Sequence, residues 1–312
     1  MEAASVEQRT AAPPKRRGLS GRARDERKLA WLLCAPAVIV MLLVTGYPIA
    51  YAIYLSLQKY DLRFPGSKEF VGLANYGDVL SSGTWWSDVF HTLVITFFSV
   101  GIELVLGMAI ALVMHRAIFG RGAVRTAVLI PYGIVTVVAA FTWRYAVDPA
   151  SGFLQGFILS DTAAPLTKVG GSYVLIILTE VWKTTPFMAL LLLAGLSLVP
   201  DELHEAARVD GASAVQRFFR ITLPLMKPAI LVALLFRTLD AFRIFDTIFI
   251  QTSGANSTES VSILGYNVLI NRVNIGLGSA VSVLVFIAVI LIAFAFVKGL
   301  GTSLAQQRGE EA

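Results

Sequence analysis

Six ionisable side chains interrupt two long apolar segments of this 312-residue sequence. Glu180 and Lys183 lie three residues apart in one segment, and the other segment carries at the same spacing Arg237, Asp240, Arg243 and Asp246. Residues three apart share one face of a helix, so successive members of the second set are expected to pair. Counting inward at about 1.5 Å per residue also brings Glu180 level with Arg243. The same count brings Lys183 level with Asp240.

These charges need either partners or water, because an unpaired charge at the centre of a bilayer costs about 2.5–3.5 kcal/mol. One interpretation is that they line the route or gate of a polar solute. A hydroxyl-rich solute with apolar ring faces would bind such hydrogen-bonding groups together with nearby aromatic side chains, of which Trp182 is one. The other interpretation is that the charges only lock two helices together. The residues alone leave both open.

Two further charges lie in apolar segments. Glu103 is near the middle of its segment and has no obvious partner in its own helix. Arg144 is close enough to the outer end of another segment for its side chain to reach the membrane interface, so we assign it no special role.

Recognisable catalytic and metal-binding patterns are absent from the sequence. It contains no G-x-x-x-x-G-K-[ST] phosphate-binding loop, and its three histidines are scattered and accompanied by a single cysteine. Such a set does not make a zinc site, and no histidine is placed beside a serine as a nucleophilic triad requires. We therefore expect no catalytic residue, no metal site and no cofactor in this chain.

The elements that carry the charges are predicted to be membrane helices. Hydrophobic residues make up 56% of the chain and charged residues only 15%, whereas soluble proteins carry about 25% charge. Segments long enough to cross about 30 Å of hydrocarbon lie at residues 29–57, 92–114, 126–147, 173–199, 228–251 and 278–297. The predicted fold class is therefore all-α, a polytopic membrane protein with six transmembrane helices.

The distribution of lysine and arginine predicts the orientation. These cations concentrate at residues 1–28, after the second segment, at residues 200–227 and after the last segment. Because Lys and Arg are retained on the cytoplasmic side, both termini and the 200–227 stretch are expected to be cytoplasmic. A basic tail, 1–28, that can touch membrane lipid would precede the membrane domain, 29–298, and a second tail, 299–312, would follow it. The bias accounts for the net charge of +5, so no nucleic-acid partner is expected.

The cytoplasmic stretch between the fourth and fifth segments is predicted to be a helical hairpin. Asp201 is a suitable N-cap for its first helix, and Gly211 supplies a tight turn. Ser213 is at capping-box spacing from a glutamine and can begin a second short helix. That helix is expected to end at Pro224 and Pro228. The pattern also fits a hairpin that merely packs under its own helices.

The residues of this hairpin resemble a known motif. From Glu205 the chain reads EAARVDGASAVQRFFRITLPLMKP, which resembles the EAA loop of bacterial ABC importer permeases. Other stretches similar to the carbohydrate-uptake branch of that family are GYPIAYAIYLSL, FVGLANYGDVL and EVWKTTPFMALLLLAGLSLVP. The sequence departs from the family at residues 251–260, QTSGANSTES, where many sugar permeases have a Gly-Gly-Pro turn.

The resemblance implies a type I ABC importer permease fold in the cell membrane and transport by alternating access. A second permease subunit would complete the pathway, a cytoplasmic ATPase dimer would bind ATP and Mg, and an extracytoplasmic solute-binding lipoprotein would deliver the sugar. Coupling to the ATPase is implied for Glu205, Ala206, Ala207, Asp210, Gly211, Leu223 and Pro224. The candidate pathway or gate residues are Glu180, Trp182, Lys183, Arg237, Asp240, Arg243 and Asp246. Resemblance to trehalose importers favours trehalose, although nothing in the spans distinguishes it from maltose or glycerol phosphate.

An ion-coupled secondary transporter is the alternative function. In such a carrier Glu103, Glu180 and Asp240 would serve as relay carboxylates within the membrane. The cations beside them and the large cytoplasmic hairpin favour the ATP-driven importer.

Overall fold

The computed structural model describes residues 21–64, 66, 68–116, 121–155 and 164–309. The described part of the chain begins with α1 (Gly21–Met41), a π-helical turn (Leu42–Gly46) and α2 (Tyr47–Ser56). A short antiparallel hairpin, β1 (Gln58–Lys59) with β2 (Glu69–Phe70), precedes α3 (Ala74–Ser81) and α4 (Gly83–Arg116). Next come α5 (Arg121–Gly133), α6 (Thr136–Ala146), a 3-10 turn (Pro165–Thr167) and α7 (Val169–Leu196).

The second half of the chain begins with the predicted hairpin. It contains α8 (Asp201–Val209), α9 (Ala214–Arg217), a π-helical turn (Phe218–Thr222) and α10 (Leu223–Leu225). The remaining elements are α11 (Lys227–Phe242), α12 (Asp246–Gln251), α13 (Val261–Tyr266), a π-helical turn (Asn267–Asn271) and α14 (Ile275–Gly309). The predicted tails, 1–28 and 299–312, lie partly outside the described residues.

The chain divides after Tyr51 into two compact units. The first unit contains α1 and the π-helical turn that follows it. In the same unit the rings of Tyr47 and Tyr51 stack, with centroids 6.1 Å apart. The second unit begins at Ala52 and holds α3 to α14. Every candidate site residue lies in the second unit.

The candidate membrane spans agree with the predicted segments. Single helices that are long and apolar enough to cross a bilayer are Lys28–Ser56, Gly83–His115, Val169–Leu196 and Ile275–Gly299. Two bent pairs also qualify: Gly122–Gly133 with Thr136–Ala146, bent by 85°, and Ala214–Leu225 with Lys227–Gln251, bent by 68°. With each bent pair counted as one span, the described residues hold six spans. The all-α fold class is confirmed.

The predicted outer loop at residues 251–260 consists of tight turns. Ser253, Asn256 and Ser257 have φ values of 53°, 56° and 55°. The Asn256 side-chain amide donates to the carbonyl oxygen of Leu166 at 2.6 Å. The loop is therefore tied to the turn that precedes α7.

The largest cluster of buried apolar residues forms where α4 and α11 pack against α7. Its buried side chains include Met108, Met114, Met188, Leu192, Leu196, Met226 and Ala233. Small residues allow this close packing. A Cβ atom on Gly195 of α7 would collide with the methyl group of Ala229 in α11.

Replacing Gly195 by valine is therefore expected to destabilise the protein by about 1–3 kcal/mol, the usual cost of overpacking a core. The matched control is Gly101→Val, because a Cβ atom on Gly101 of α4 meets nothing within 4 Å. Both changes replace a glycine within a helix by the same side chain. We expect a lower midpoint of thermal unfolding in detergent for the Gly195 variant alone, and equal shifts would contradict this packing.

Candidate functional site

The centre of the candidate site is Arg237 of α11, which is only 1% exposed. Its Nε donates to Oε2 of Glu103 in α4 at 2.5 Å, and its Nη2 donates to Oε1 of Glu103 at 3.0 Å. The same Nη2 donates to Oε2 of Glu180 in α7 at 2.9 Å. Nη1 donates to Oδ2 of Asp240 at 2.7 Å. One guanidinium group thus joins three helices.

Two threonine hydroxyl groups complete the hydrogen bonding of the buried carboxylates. The hydroxyl group of Thr184 lies 2.8 Å from Oε1 of Glu103 and 2.6 Å from the carbonyl oxygen of Glu180, so these two acceptors share its one proton. Thr247 donates to Oε1 of Glu180 at 2.6 Å. Glu103 is fully buried and Glu180 is 7% exposed. These hydrogen bonds are necessary, because a buried carboxylate is tolerated only when the lone pairs left free by its ion pair are also hydrogen-bonded.

A polar cavity of about 420 Å³ lies beside this cluster. Five of the predicted pathway residues line it, namely Glu180, Lys183, Asp240, Arg243 and Asp246. The ammonium group of Lys183 lies over the ring of Tyr132, 5.6 Å from its centroid. Tyr132 in turn stacks on Phe187, with ring centroids 5.4 Å apart. The cavity therefore offers charged and hydroxyl groups next to an aromatic wall.

The first predicted pair of the alternating set, Arg237 with Asp240, is confirmed, but the predicted pairs across helices are wrong. Glu180 forms its ion pair with Arg237, and within the described residues no ion pair joins Glu180 to Arg243 or Lys183 to Asp240. The alternating set pairs no further because α11 ends at Phe242, so the residues that follow leave the face of Arg237. Arg243 caps that helix and donates from its Nε to the carbonyl oxygen of Leu239 at 3.3 Å.

Trp182 lies away from the charged cavity. Its ring meets Trp143 of α6 edge to face, with centroids 6.0 Å apart. Both tryptophans line a separate apolar cavity of about 730 Å³. Residues two apart do not share a helix face, which explains why Trp182 and Glu180 face different cavities.

Two contacts of Glu103 and Arg144 were not predicted from the sequence. Glu103 was left without a partner, and its unpaired position at mid-segment was the one signal that a cation from another helix must reach it. Arg144 was expected to extend to the membrane interface, but its Nη1 donates to the carbonyl oxygen of Ile250 at 2.6 Å. That contact joins α6 to α12.

The three carboxylates considered as relay groups of an ion-coupled carrier are all hydrogen-bonded to one cation. Glu103, Glu180 and Asp240 each accept from Arg237. Asp240 alone among them keeps most of its side chain exposed, at 67%. The arrangement is a fixed ionic cluster with one solvated edge.

The predicted turn of the hairpin is present. Gly211 has a φ of 80°, and the amide of Ala212 donates to the carbonyl oxygen of Ala207 at 2.8 Å, which closes the end of α8. The capping box is also present: Ser213 accepts from the amide of Gln216 at 3.2 Å, and the Gln216 side chain accepts from the amide of Ser213 at 2.7 Å. Both features are confirmed.

Two details of the hairpin differ from the prediction. The N-cap of α8 is Pro200, and Asp201 is the first helical residue. Helical structure continues past Pro224 and bends at Met226. The prolines are tolerated because the N–H group that proline lacks has no helical partner in the first turn of a helix. Pro224 and Pro228 thus lie in the first turns of α10 and α11, and neither ends a helix.

The hairpin presents an exposed surface with apolar residues. Val209 is 87% exposed, Val215 is 66% exposed and Phe219 is 60% exposed. Among the predicted coupling residues, the exposed ones are Glu205, Ala206, Asp210, Gly211 and Pro224, and the half-buried ones are Ala207 and Leu223. Large exposed apolar side chains beside polar ones are typical of a protein-interaction site.

Comparisons with known proteins agree with this architecture. The family model described as "Binding-protein-dependent transport system inner membrane component" matches residues 71–306. The chain is 56% identical over 299 residues to the trehalose transport system permease protein SugA of Mycobacterium tuberculosis, with 96% of each chain covered. It is 40% identical over 278 residues to the trehalose/maltose transport system permease protein MalF of Thermococcus litoralis, with 88% of this chain and 94% of the relative covered.

Solved structures share the fold. A chain of a bacterial ABC transporter involved in the import of the acidic polysaccharide alginate superimposes with a TM-score of 0.76 and 23% identity, covering 90% of this chain and 99% of that chain. A chain of a bacterial alginate ABC transporter in complex with an alginate pentasaccharide-bound periplasmic protein gives a TM-score of 0.75 and 20% identity, covering 88% and 94%.

Proposed function

Because the chain belongs to the family of binding-protein-dependent transport system inner membrane components, we propose that it is a permease subunit of an ABC sugar importer whose cargo is trehalose. The observation that carries the proposal is the 56% identity to a trehalose permease over 96% of both chains. A second relative, at 40% identity, is also named for trehalose transport. The chain is a multi-pass membrane protein of the transport class.

The charged cavity supports a polar cargo. Its volume of about 420 Å³ lies in the range of about 300–1,000 Å³ that small-molecule sites occupy. Carboxylates accept hydrogen bonds from sugar hydroxyl groups and the cations donate hydrogen bonds to them, and Tyr132 adds an aromatic side chain to the lining. In this proposal Asp240, Arg243 and Asp246 line half of the pathway, and a second permease subunit supplies the other half.

The hairpin is proposed as the contact with a cytoplasmic ATPase dimer, which binds ATP and Mg. Its exposed apolar residues, Val209 and Phe219 among them, suit insertion into a cleft of a partner. Closure of the ATPase would then move α8 and α9 as a rigid body and transmit the motion to the spans. Both termini lie in the cytoplasm in this arrangement, and a solute-binding protein delivers trehalose from outside.

Uptake of labelled trehalose into proteoliposomes tests the function directly. We expect accumulation only when this chain, the second permease, the ATPase and the binding protein are present together with ATP. A matched preparation whose ATPase cannot hydrolyse ATP should remain at background. Uptake by this chain alone in a proton or sodium gradient would instead establish the ion-coupled carrier.

Substrate choice is tested by ATPase stimulation. In the complete complex, trehalose is expected to raise ATP hydrolysis, whereas maltose and glycerol phosphate are expected to raise it less. Equal stimulation by all three would contradict trehalose as the cargo while leaving the importer function in place.

A further inference from the structure

The short helix α12 is separated from α11 by a break at residues 243–245. Phe245, which precedes α12, has φ −134° and ψ −63° and is not helical. The carbonyl oxygen of Ile244 in the break accepts a hydrogen bond from the buried hydroxyl group of Ser260 at 2.9 Å. Because this carbonyl oxygen has a hydrogen-bond partner, the break leaves no unpaired buried acceptor there and is a stable part of the fold.

Three side-chain hydrogen bonds hold α12 against its neighbours. Thr247 donates to Oε1 of Glu180 at 2.6 Å. Gln251 donates from its Nε2 to the hydroxyl oxygen of Thr179 at 2.7 Å. The third bond is the one that Arg144 donates to the carbonyl oxygen of Ile250. Of these bonds, the one from Thr247 reaches an ionised acceptor that is itself part of the Arg237 cluster.

Glu180 is shared between the two halves of the broken helix. Its Oε2 accepts from Arg237 in α11, and its Oε1 accepts from Thr247 in α12. We propose that Glu180 is a positioning residue, which sets the angle between α11 and α12 through Thr247 and so holds the cavity wall in place for transport. This role rests on the proposed function, because the wall belongs to the proposed sugar pathway.

The geometry explains why the hydroxyl group of Thr247 controls the position of the cavity wall. Asp246 and Thr247 both line the charged cavity from the first turn of α12, so a tilt of that helix displaces the wall. The helix has only six residues and gains little stability from its own backbone. A hydrogen bond to a charged acceptor is roughly twice as strong as a neutral one. Its loss is expected to raise the population of displaced α12 by about tenfold or more.

Three variants test the proposal in the assembled complex. Thr247→Val removes the hydroxyl group with little change in shape, and Thr247→Ser restores it. The matched control is Thr185→Val, because Thr185 is also buried but, within the part of the chain that the structure describes, donates only to the carbonyl oxygen of Val181 in its own helix. If Thr247→Val does not accumulate, Thr247→Cys replaces it, since a thiol is a weak donor of similar size.

The first measurement is hydrogen exchange of the backbone amides at residues 246–253. Thr247→Val is expected to speed their exchange by about tenfold or more, and Thr247→Ser and Thr185→Val are expected to leave it near the unmodified rate. This measurement does not depend on transport. Unchanged exchange in Thr247→Val would overturn the positioning role of Glu180 whatever the chain transports.

The second measurement is ATP-driven trehalose uptake by the same complexes. We expect kcat/KM to fall in Thr247→Val and to recover in Thr247→Ser, and the size of the fall measures how much the placed wall lowers the barrier to transport. Faster exchange with unchanged uptake would overturn the inference that this wall matters for transport. Absence of uptake in the unmodified complex would overturn the proposed function, and the exchange result would then decide whether Glu180 positions α12.

Discussion

Replacing Arg237 by methionine is expected to prevent the accumulation of folded protein in the membrane. The change leaves Glu103 and Glu180 buried without the cation that binds both. Breaking a buried ion pair by removing one partner costs about 3–5 kcal/mol, a large share of the about 5–15 kcal/mol that stabilises a typical protein. The amount of monodisperse protein extracted in mild detergent, measured by size-exclusion chromatography, reports the loss.

The matched control for this experiment is Arg243→Met. It removes the same charge only six positions further along the chain, but Arg243 is exposed and its side chain donates only to the carbonyl oxygen of Leu239 among the described residues. We expect this variant to accumulate normally. Adding Glu103→Gln to the Arg237 variant should recover part of the yield, because one stranded carboxylate is removed. Equal yields for the two single variants would show that the buried cluster contributes no stability.

Local signals made the hairpin predictable. Gly211 turns the chain because glycine adopts a positive φ without strain, and Ser213 starts a helix because Gln216 completes its capping box. Each of these interactions spans only a few residues. The spans were equally predictable, because a long apolar stretch indicates a membrane helix whichever helices it packs against.

The ionic cluster was not predictable in the same way. Arg237 binds Glu103 across 134 residues of sequence, and this meeting depends on how α4 and α11 pack against α7. The ladder prediction also assumed an unbroken helix. No proline or glycine marks residues 243–245, and the break is stabilised from a distance by the hydroxyl group of Ser260. Composition and spacing therefore identified the charged residues of the cavity but not the pairs that join different helices.

Replacing Gly211 by valine is expected to reduce trehalose uptake by at least about tenfold while the protein still enters the membrane. A left-handed backbone costs an L-residue about 1–2 kcal/mol, and β-branched residues tolerate it least. The backbone alone causes this effect, since a Cβ atom on Gly211 meets nothing within 4 Å in this chain. Rearrangement of the turn would move α8 away from α9 and spoil the surface proposed to bind the ATPase.

Gly211→Asn is the control, because asparagine adopts the left-handed conformation more readily than other residues with side chains. We expect its uptake and its co-purification with the ATPase to stay well above those of the valine variant. Membrane levels of both should match the unmodified protein, since Gly211 itself is exposed and lies outside the buried core. Normal uptake by Gly211→Val would mean that this turn does not transmit ATPase closure to the spans. Loss of uptake with full ATPase binding would place its role in motion rather than in assembly.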